Sequence, residues 1–166
     1  DLAVWRPGNG SWYVLNQAGT SYSENGWGMT GDVPAQGDFD GDGKTDFSIF
    51  RPGTGTWWVS RSSDSSYFTT TLGNTCSTYP GTCDRLAQAD YDGDGKTDLA
   101  VYRQSNGTWY VIKSSDGTAI YPVWGSSTDV PVPADFDGDG KADVAVWRTS
   151  NHTFYSVNSS NGQSVT

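Results

Sequence analysis

Four times along the 166-residue chain a short apolar run follows an aspartate and ends on an arginine: DLAVWR from Asp1, DFSIFR from Asp46, DLAVYR from Asp98 and DVAVWR from Asp143. Side chains on a strand alternate between two faces. Leu2/Val4, Phe47/Ile49, Leu99/Val101 and Val144/Val146 therefore share one face, and Ala3/Trp5, Ser48/Phe50, Ala100/Tyr102 and Ala145/Trp147 the other. Apolar residues on both faces predict a strand covered on both sides. A turn such as Pro7-Gly8-Asn9-Gly10 leads to a second strand over 11–15, a weaker strand precedes Trp27-Gly28, and the segment 33–39 runs into an acidic loop. Trp27-Gly28, Leu72-Gly73 and Trp124-Gly125 each stand 26 residues after their leading aspartate, and Asp32, Asp84 and Asp129 each precede the next acidic loop by six.

These marks define units starting near 1, 46, 98 and 143, at intervals of 45, 52 and 45 residues, the first and last incomplete. Residues 1–166 thus read as a single repeat domain without a linker. Four short strands per unit of about 45 residues predict an all-β fold, a β-propeller or partial propeller of about four four-stranded blades. No stretch has helical apolar spacing, and none approaches the roughly 18 apolar residues of a membrane span. No signal-like stretch heads the chain, which reads as a mature or excised segment.

Composition supports this picture: five Leu and three Ile against eight Trp and nine Tyr, with 21 Gly. The net charge of −9 argues against a nucleic-acid partner. Its origin is local. GDFDGDGKTD, ADYDGDGKTD and ADFDGDGKAD hold twelve aspartates: Asp38, Asp40, Asp42, Asp46, Asp90, Asp92, Asp94, Asp98, Asp135, Asp137, Asp139 and Asp143. Counted from Asp38, the carboxylates fall at positions 1, 3, 5 and 9. Position 7 is Lys44, Lys96 or Lys141, which can offer a backbone carbonyl. Hard oxygen ligands on a glycine-rich turn suit calcium. An EF-hand is excluded, because position 12 is Ile49, Val101 or Val146, inside a predicted strand.

Cys76 and Cys83 flank six residues of a polar loop within the long unit. A disulfide there implies an oxidising compartment; two free thiols in a reducing one are the alternative.

These acidic loops and the strands they feed, DFDGDGKTDFSIFRP and its sisters, resemble the FG-GAP/VCBS-type calcium-binding repeats, including those of integrin α-subunit propellers. The resemblance implies propeller blades, three calcium ions and a secreted or cell-surface setting. It implies as ligands Asp38, Asp40, Asp42, the Lys44 carbonyl and Asp46, with Asp90, Asp92, Asp94, Lys96 and Asp98, and Asp135, Asp137, Asp139, Lys141 and Asp143. Asp1 matches only the last ligand of such a loop, whose front is absent. The family's usual seven-bladed closure does not fit so few units. The chain closes alone as a four-bladed ring, or joins a second copy, or is a piece of a larger chain or assembly.

Arg6, Arg51, Arg103 and Arg148 recur after the aromatic of each first strand; pairing with an aspartate is the favoured use, contact with an anion or sugar the other. Trp12, Trp57, Trp109 and Phe154 recur in register and predict core between blades. Trp27, Trp58 and Trp124 recur less uniformly and are the candidate platforms for stacking a ligand. Asn9, Asn106, Asn151 and Asn158 head glycosylation sequons at turns. His152 stands where other units carry glycine, and no catalytic constellation is found. The sequence therefore predicts a non-enzymatic, calcium-stabilised extracellular binding or adhesion module with a glycan or protein ligand. A structural scaffold that self-associates through its blade ends is the alternative.

Overall fold

Glycine-rich turns cut the chain into strands of two to five residues, and the strands pair only with their neighbours in sequence. A computed structural model gives the arrangement for residues 1–77 and 79–166. Sheet 1 holds β1 (Leu2–Arg6), β2 (Ser11–Leu15) and β3 (Tyr22–Gly26). Sheet 2 holds β4 (Val33–Pro34), β5 (Phe47–Arg51), β6 (Thr56–Ser60) and β7 (Tyr67–Thr71). Sheet 3 holds β8 (Arg85–Leu86), β9 (Leu99–Arg103), β10 (Thr108–Ile112) and β11 (Ala119–Ile120). Sheet 4 holds β12 (Val130–Pro131), β13 (Val144–Arg148), β14 (Thr153–Val157) and β15 (Ser164–Val165). Every pairing is antiparallel, so each sheet is an up-and-down meander. The fold is all-β among the described residues, built of four blade-like sheets.

The sheets are out of phase with the sequence units. β4, β8 and β12 belong to the sheet that follows them, so each acidic loop joins the first two strands of one sheet. Bridges at Gly37–Asp46, Ala89–Asp98 and Ala134–Asp143 close the base of each loop. Sheet 1 alone has three strands.

In sheets 2 and 3 the two apolar faces of the first long strand, β5 or β9, are covered by the two neighbouring sheets. Phe50, Trp57 and Val59 of sheet 2 pack with Leu99 and Val101 of sheet 3. Tyr102, Trp109 and Val111 of sheet 3 pack with Val146 of sheet 4. A cross-strand aromatic pair anchors each seam: Trp5–Trp12, Phe50–Trp57 and Tyr102–Trp109, with ring centroids 5.4, 5.6 and 5.1 Å apart. The indole N–H groups of Trp12, Trp57 and Trp109 donate to the carbonyls of Trp27, Leu72 and Trp124, so these buried donors are satisfied.

That contact explains the glycine of the Trp-Gly mark. Gly125 has φ +100°, and a Cβ there would lie 2.6 Å from the Tyr102 hydroxyl. The hairpin glycine Gly107 has φ +67° and backs onto the Gly125 carbonyl. His152 takes the equivalent place in sheet 4 at φ 54°, so it fills the left-handed turn position that the other sheets give to glycine.

Cys76 and Cys83 form a disulfide with a Cα–Cα distance of 5.4 Å. It closes a side loop between β7 and β8, which Asn74 and Asp84 tie down by exchanging backbone-to-side-chain hydrogen bonds of 2.8 and 2.6 Å.

The stack has two uncovered faces. Leu2 and Val4 are 74 % and 61 % exposed, whereas their counterparts Leu99 and Val101 are buried. Phe154 is 54 % exposed, although the corresponding Trp109 is fully buried. Here the expectation of core at all four positions gives way, because no sheet packs beyond sheet 4. The same repeat position therefore carries opposite weights. Trp109→Ala is expected to cost about 4 kcal/mol and Phe154→Ala under about 1 kcal/mol, measured by denaturant unfolding of the two variants beside the parent chain.

Candidate functional site

Each acidic loop is built outward from its last aspartate. Asp46, Asp98 and Asp143 are essentially inaccessible to water. One oxygen of each accepts the amide of the second loop residue: Phe39 at 2.7 Å, Tyr91 at 2.8 Å, Phe136 at 2.9 Å. The other accepts an amide from the turn after the next hairpin strand: Ser62 at 2.7 Å, Ser114 at 2.7 Å, Ser159 at 2.6 Å. Burial pushes the Asp46 and Asp98 carboxyls above the ordinary carboxylate range, and these two amides oppose the shift.

The first loop aspartate organises the turn. Asp38 accepts from Gly41 at 2.7 Å and from Gly43 at 2.8 Å; Asp90 accepts from Gly93 and Gly95, and Asp135 from Gly138 and Gly140. Carboxylate oxygens of Asp38, Asp40 and Asp42 lie within 4.8 Å of one another, as do those of Asp90, Asp92 and Asp94 and those of Asp135, Asp137 and Asp143. In the third loop, then, the clustered set takes in the closing aspartate rather than Asp139. Three convergent carboxylates on a turn held open by backbone amides fit a hard divalent cation.

The loops also lock to one another. The amides of Thr97 and Ala142 donate to the carbonyls of Asp38 and Asp90, each at 2.6 Å. The stems of Lys96 and Lys141 lie over Gly41 and Gly93 of the preceding loop, 3.1 Å from where a Cβ would stand. Lys44 instead pairs within its own loop with Asp42 at 3.5 Å.

A set of serines joins the site without having been singled out in the sequence. Ser62 and Ser114 donate to Asp42 and Asp94, and Ser63, Ser115 and Ser160 to Asp40, Asp92 and Asp137, at 2.5–3.0 Å. The Ser63 hydroxyl is the main cause holding Asp40 below its ordinary pKa. The signal was available: Ser-Ser stands sixteen and seventeen residues after each of Asp46, Asp98 and Asp143, and Gln17-Ala18 replaces it after Asp1. Such outer partners orient carboxylates toward a common centre.

At the far end of the strands the recurring arginines take their favoured role. Arg51, Arg103 and Arg148 grip Asp32, Asp84 and Asp129 in two-pronged pairs at 2.8–2.9 Å. Each guanidinium also lies over an aromatic ring, Trp58, Tyr110 or Tyr155, at 4.3–5.1 Å. The pairing lowers the Asp129 pKa and raises those of all three arginines.

The candidate stacking residues separate. Trp27 and Trp58 meet in an open cleft of about 230 Å³ between sheets 1 and 2, with Gly28, Ile49, Arg51 and Tyr67. Trp58 and Tyr67 are nearly parallel, 18° apart at 6.4 Å, and the Trp27 indole donates to the Trp58 carbonyl at 3.2 Å. Trp124 lies on the seam between sheets 3 and 4, donating to the Tyr155 carbonyl at 3.1 Å, and is half-buried against that core.

The model of the FG-GAP-like repeat matches residues 38–101 and 90–146, together about two thirds of the chain. No curated protein and no solved structure matches it.

The Arg148–Asp129 pair makes a signed prediction. Its folded-state pKa is depressed, so its stabilisation is present above the ordinary carboxylate value near 4 and is lost as pH falls through the lowered one. Arg148 is about 30 % exposed, which weakens the pair relative to a fully buried one. Arg148→Gln is expected to destabilise the chain at pH 7, and that cost should shrink progressively as pH falls below about 4. Urea unfolding of both chains across pH 3–7 reads the difference.

Proposed function

The chain belongs to the FG-GAP-like repeat family, and from that premise we propose that it is a calcium-stabilised β-propeller module of an extracellular protein that binds carbohydrate without catalysing a reaction. The observation that carries the metal assignment is the threefold recurrence of clustered carboxylates on turns braced by glycine amides and serines. In this reading each ion is held by carboxylates at loop positions 1, 3, 5 and 9 and the carbonyl of Lys44, Lys96 or Lys141. Calcium tolerates such a flexible oxygen set; magnesium demands stricter geometry. The ion removes the repulsion among the clustered carboxylates, for which the one ion pair found among the described residues is the Lys44–Asp42 contact.

The disulfide supports an oxidising, extracellular setting. No helix among the described residues is long and apolar enough to cross a membrane. For the ligand, the Trp58–Tyr67 pair offers a flat aromatic floor beside polar groups, a surface suited to the C–H face of a sugar ring. The second reading, a scaffold that assembles through its ends, rests on the exposed outer faces of sheet 1 and sheet 4. Sedimentation velocity in calcium separates the two. A monomer that binds sugar favours the module; an assembly that grows with concentration and binds none favours the scaffold.

Calcium removal is the first test. At free calcium a hundredfold above its dissociation constant, one site adds about 2.7 kcal/mol, or roughly 5–10 °C of melting temperature for a chain of this size. EDTA should lower the midpoint by at least that much. An unchanged melt, with no metal found by elemental analysis, would overturn the assignment.

Trp58→Ala tests the ligand. On a glycan array it should abolish the signal of the parent chain while leaving the calcium-dependent melt in place. A signal that survives the substitution removes the cleft from consideration.

A further inference from the structure

The three arginine–aspartate pairs and the Lys44–Asp42 contact employ four of the ten Lys and Arg residues in a chain of net charge −9. Three of the others, Arg61, Lys96 and Lys113, line one cleft of about 240 Å³ on the seam between sheets 2 and 3. They come from separate segments: the turn after β6, the second acidic loop and the turn after β10. All three are half-buried, and among the described residues no carboxylate stands within ion-pair reach of any of them. Arg61 donates to the Ser66 hydroxyl at 3.2 Å and lies over the Phe68 ring at 5.2 Å. Its charge is felt through space by Asp40 and Asp64, and that of Lys113 by Asp116, without contact. Cations drawn out of water ordinarily have a counter-charge against them.

The fold does not require these charges. Arg61 and Lys113 stand fifteen residues after Asp46 and Asp98, and the same place after Asp1 and Asp143 holds Asn16 and Asn158. In all four sheets the backbone amide at this position donates across its turn, to the carbonyl of Ser21, Ser66, Thr118 or Gln163, at 2.8–3.0 Å. The turn uses the main chain, and the side chain is free to differ. Only the seam between sheets 2 and 3 receives a cation from this position on both of its sheets, and Lys96 adds a third. Both of these sheets have four strands, so the cleft is built entirely from the central part of the stack.

We infer that this cleft binds a phosphate monoester carried on an apolar ring. Such a group holds close to two negative charges near neutral pH and three outward oxygens, one for each cation, whereas a carboxylate has one charge and two oxygens in a plane. Phe68, Leu99 and Ile112 supply an apolar wall for the ring, and Thr70 and Thr97 bring hydroxyls to the same space. The site is separate from the sugar cleft. Tyr67 and Phe68 are successive residues of β7 and face opposite sides of sheet 2, one toward each cleft.

Phenyl phosphate is the probe. It is titrated into the whole chain in the presence of calcium and followed through the amide NMR spectrum, with inorganic phosphate, benzoate and phenol run in parallel. Saturable binding is expected, with shifts centred on the Thr97 and Ser114 amides. Inorganic phosphate and benzoate should each bind at least about tenfold more weakly, for want of the ring or of one charge-assisted hydrogen bond. Lys113→Gln should weaken phenyl phosphate by a similar factor and Lys113→Arg should restore most of the loss, and both variants should keep the parent melt and its response to EDTA. Trp58→Ala should leave the titration unchanged. No saturable binding at millimolar concentration, or phenol or benzoate binding as tightly as the ester, would overturn the proposal. So would inorganic phosphate binding as tightly as the ester, or binding indifferent to Lys113→Gln, as direct coordination to an ion in the acidic loops would be.

Discussion

A carboxylate withdrawn from water must be saturated with donors, and the closing aspartate of each acidic loop meets that demand with backbone amides from two separate segments. Asp46 joins the head of its own loop at Phe39 to the turn at Ser62, and Asp98 and Asp143 do the same in their sheets. Everything acidic around it inherits its position. The first, third and fifth loop residues converge because the turn is pinned at its base, and the serines reach them because the same carboxylate holds the serine turn. Loss of a donor here would strand a buried charge, a far larger penalty than an ordinary surface hydrogen bond carries.

The sheets depend on this base and then on each other. Loop grips loop through the Thr97 and Ala142 amides, seam fills seam through the aromatic pairs, and the arginine–aspartate pairs fasten the opposite ends of the strands. Sheets 2 and 3 each supply half of two interfaces, and sheets 1 and 4 half of one. Stability is therefore distributed along the stack as sums over neighbours, as in other repeat architectures, and it falls off at a face without a neighbour. Leu2, Val4 and Phe154 mark those faces by the apolar area they show to water.

Much of this was legible in the chain. The strands over Leu2–Arg6 and Ser11–Leu15, the apolar character of both faces, the disulfide and the preference of Arg51, Arg103 and Arg148 for aspartate all follow from local pattern and chemistry. The serines were missed because a Ser-Ser pair sixteen residues from an aspartate has no local meaning; only the return of the hairpin brings it to the loop. The phase of the sheets was missed for a related reason. Backbone pairing places β4 with β5 across the loop, whereas the sequence unit begins at the aspartate between them. Trp27 and Trp124 brace equivalent seams through the same indole-to-carbonyl bond, yet only Trp27 shares its cleft with a second tryptophan, Trp58, where the later seam has Tyr155.

What the sequence alone determined is the repeating element: period-two strands, glycine turns and the acidic loop spacing, all set by interactions within a few residues. Tertiary structure alone decided which copies of a repeated residue are buried and paired. Arg6 and Arg51 occupy equivalent places in the repeat, but one has a carboxylate and the other only a phenol ring. Trp109 and Phe154 do too, but one is sealed and the other faces water. Burial and pairing are properties of neighbours, and a residue's neighbours across the stack are far away along the chain.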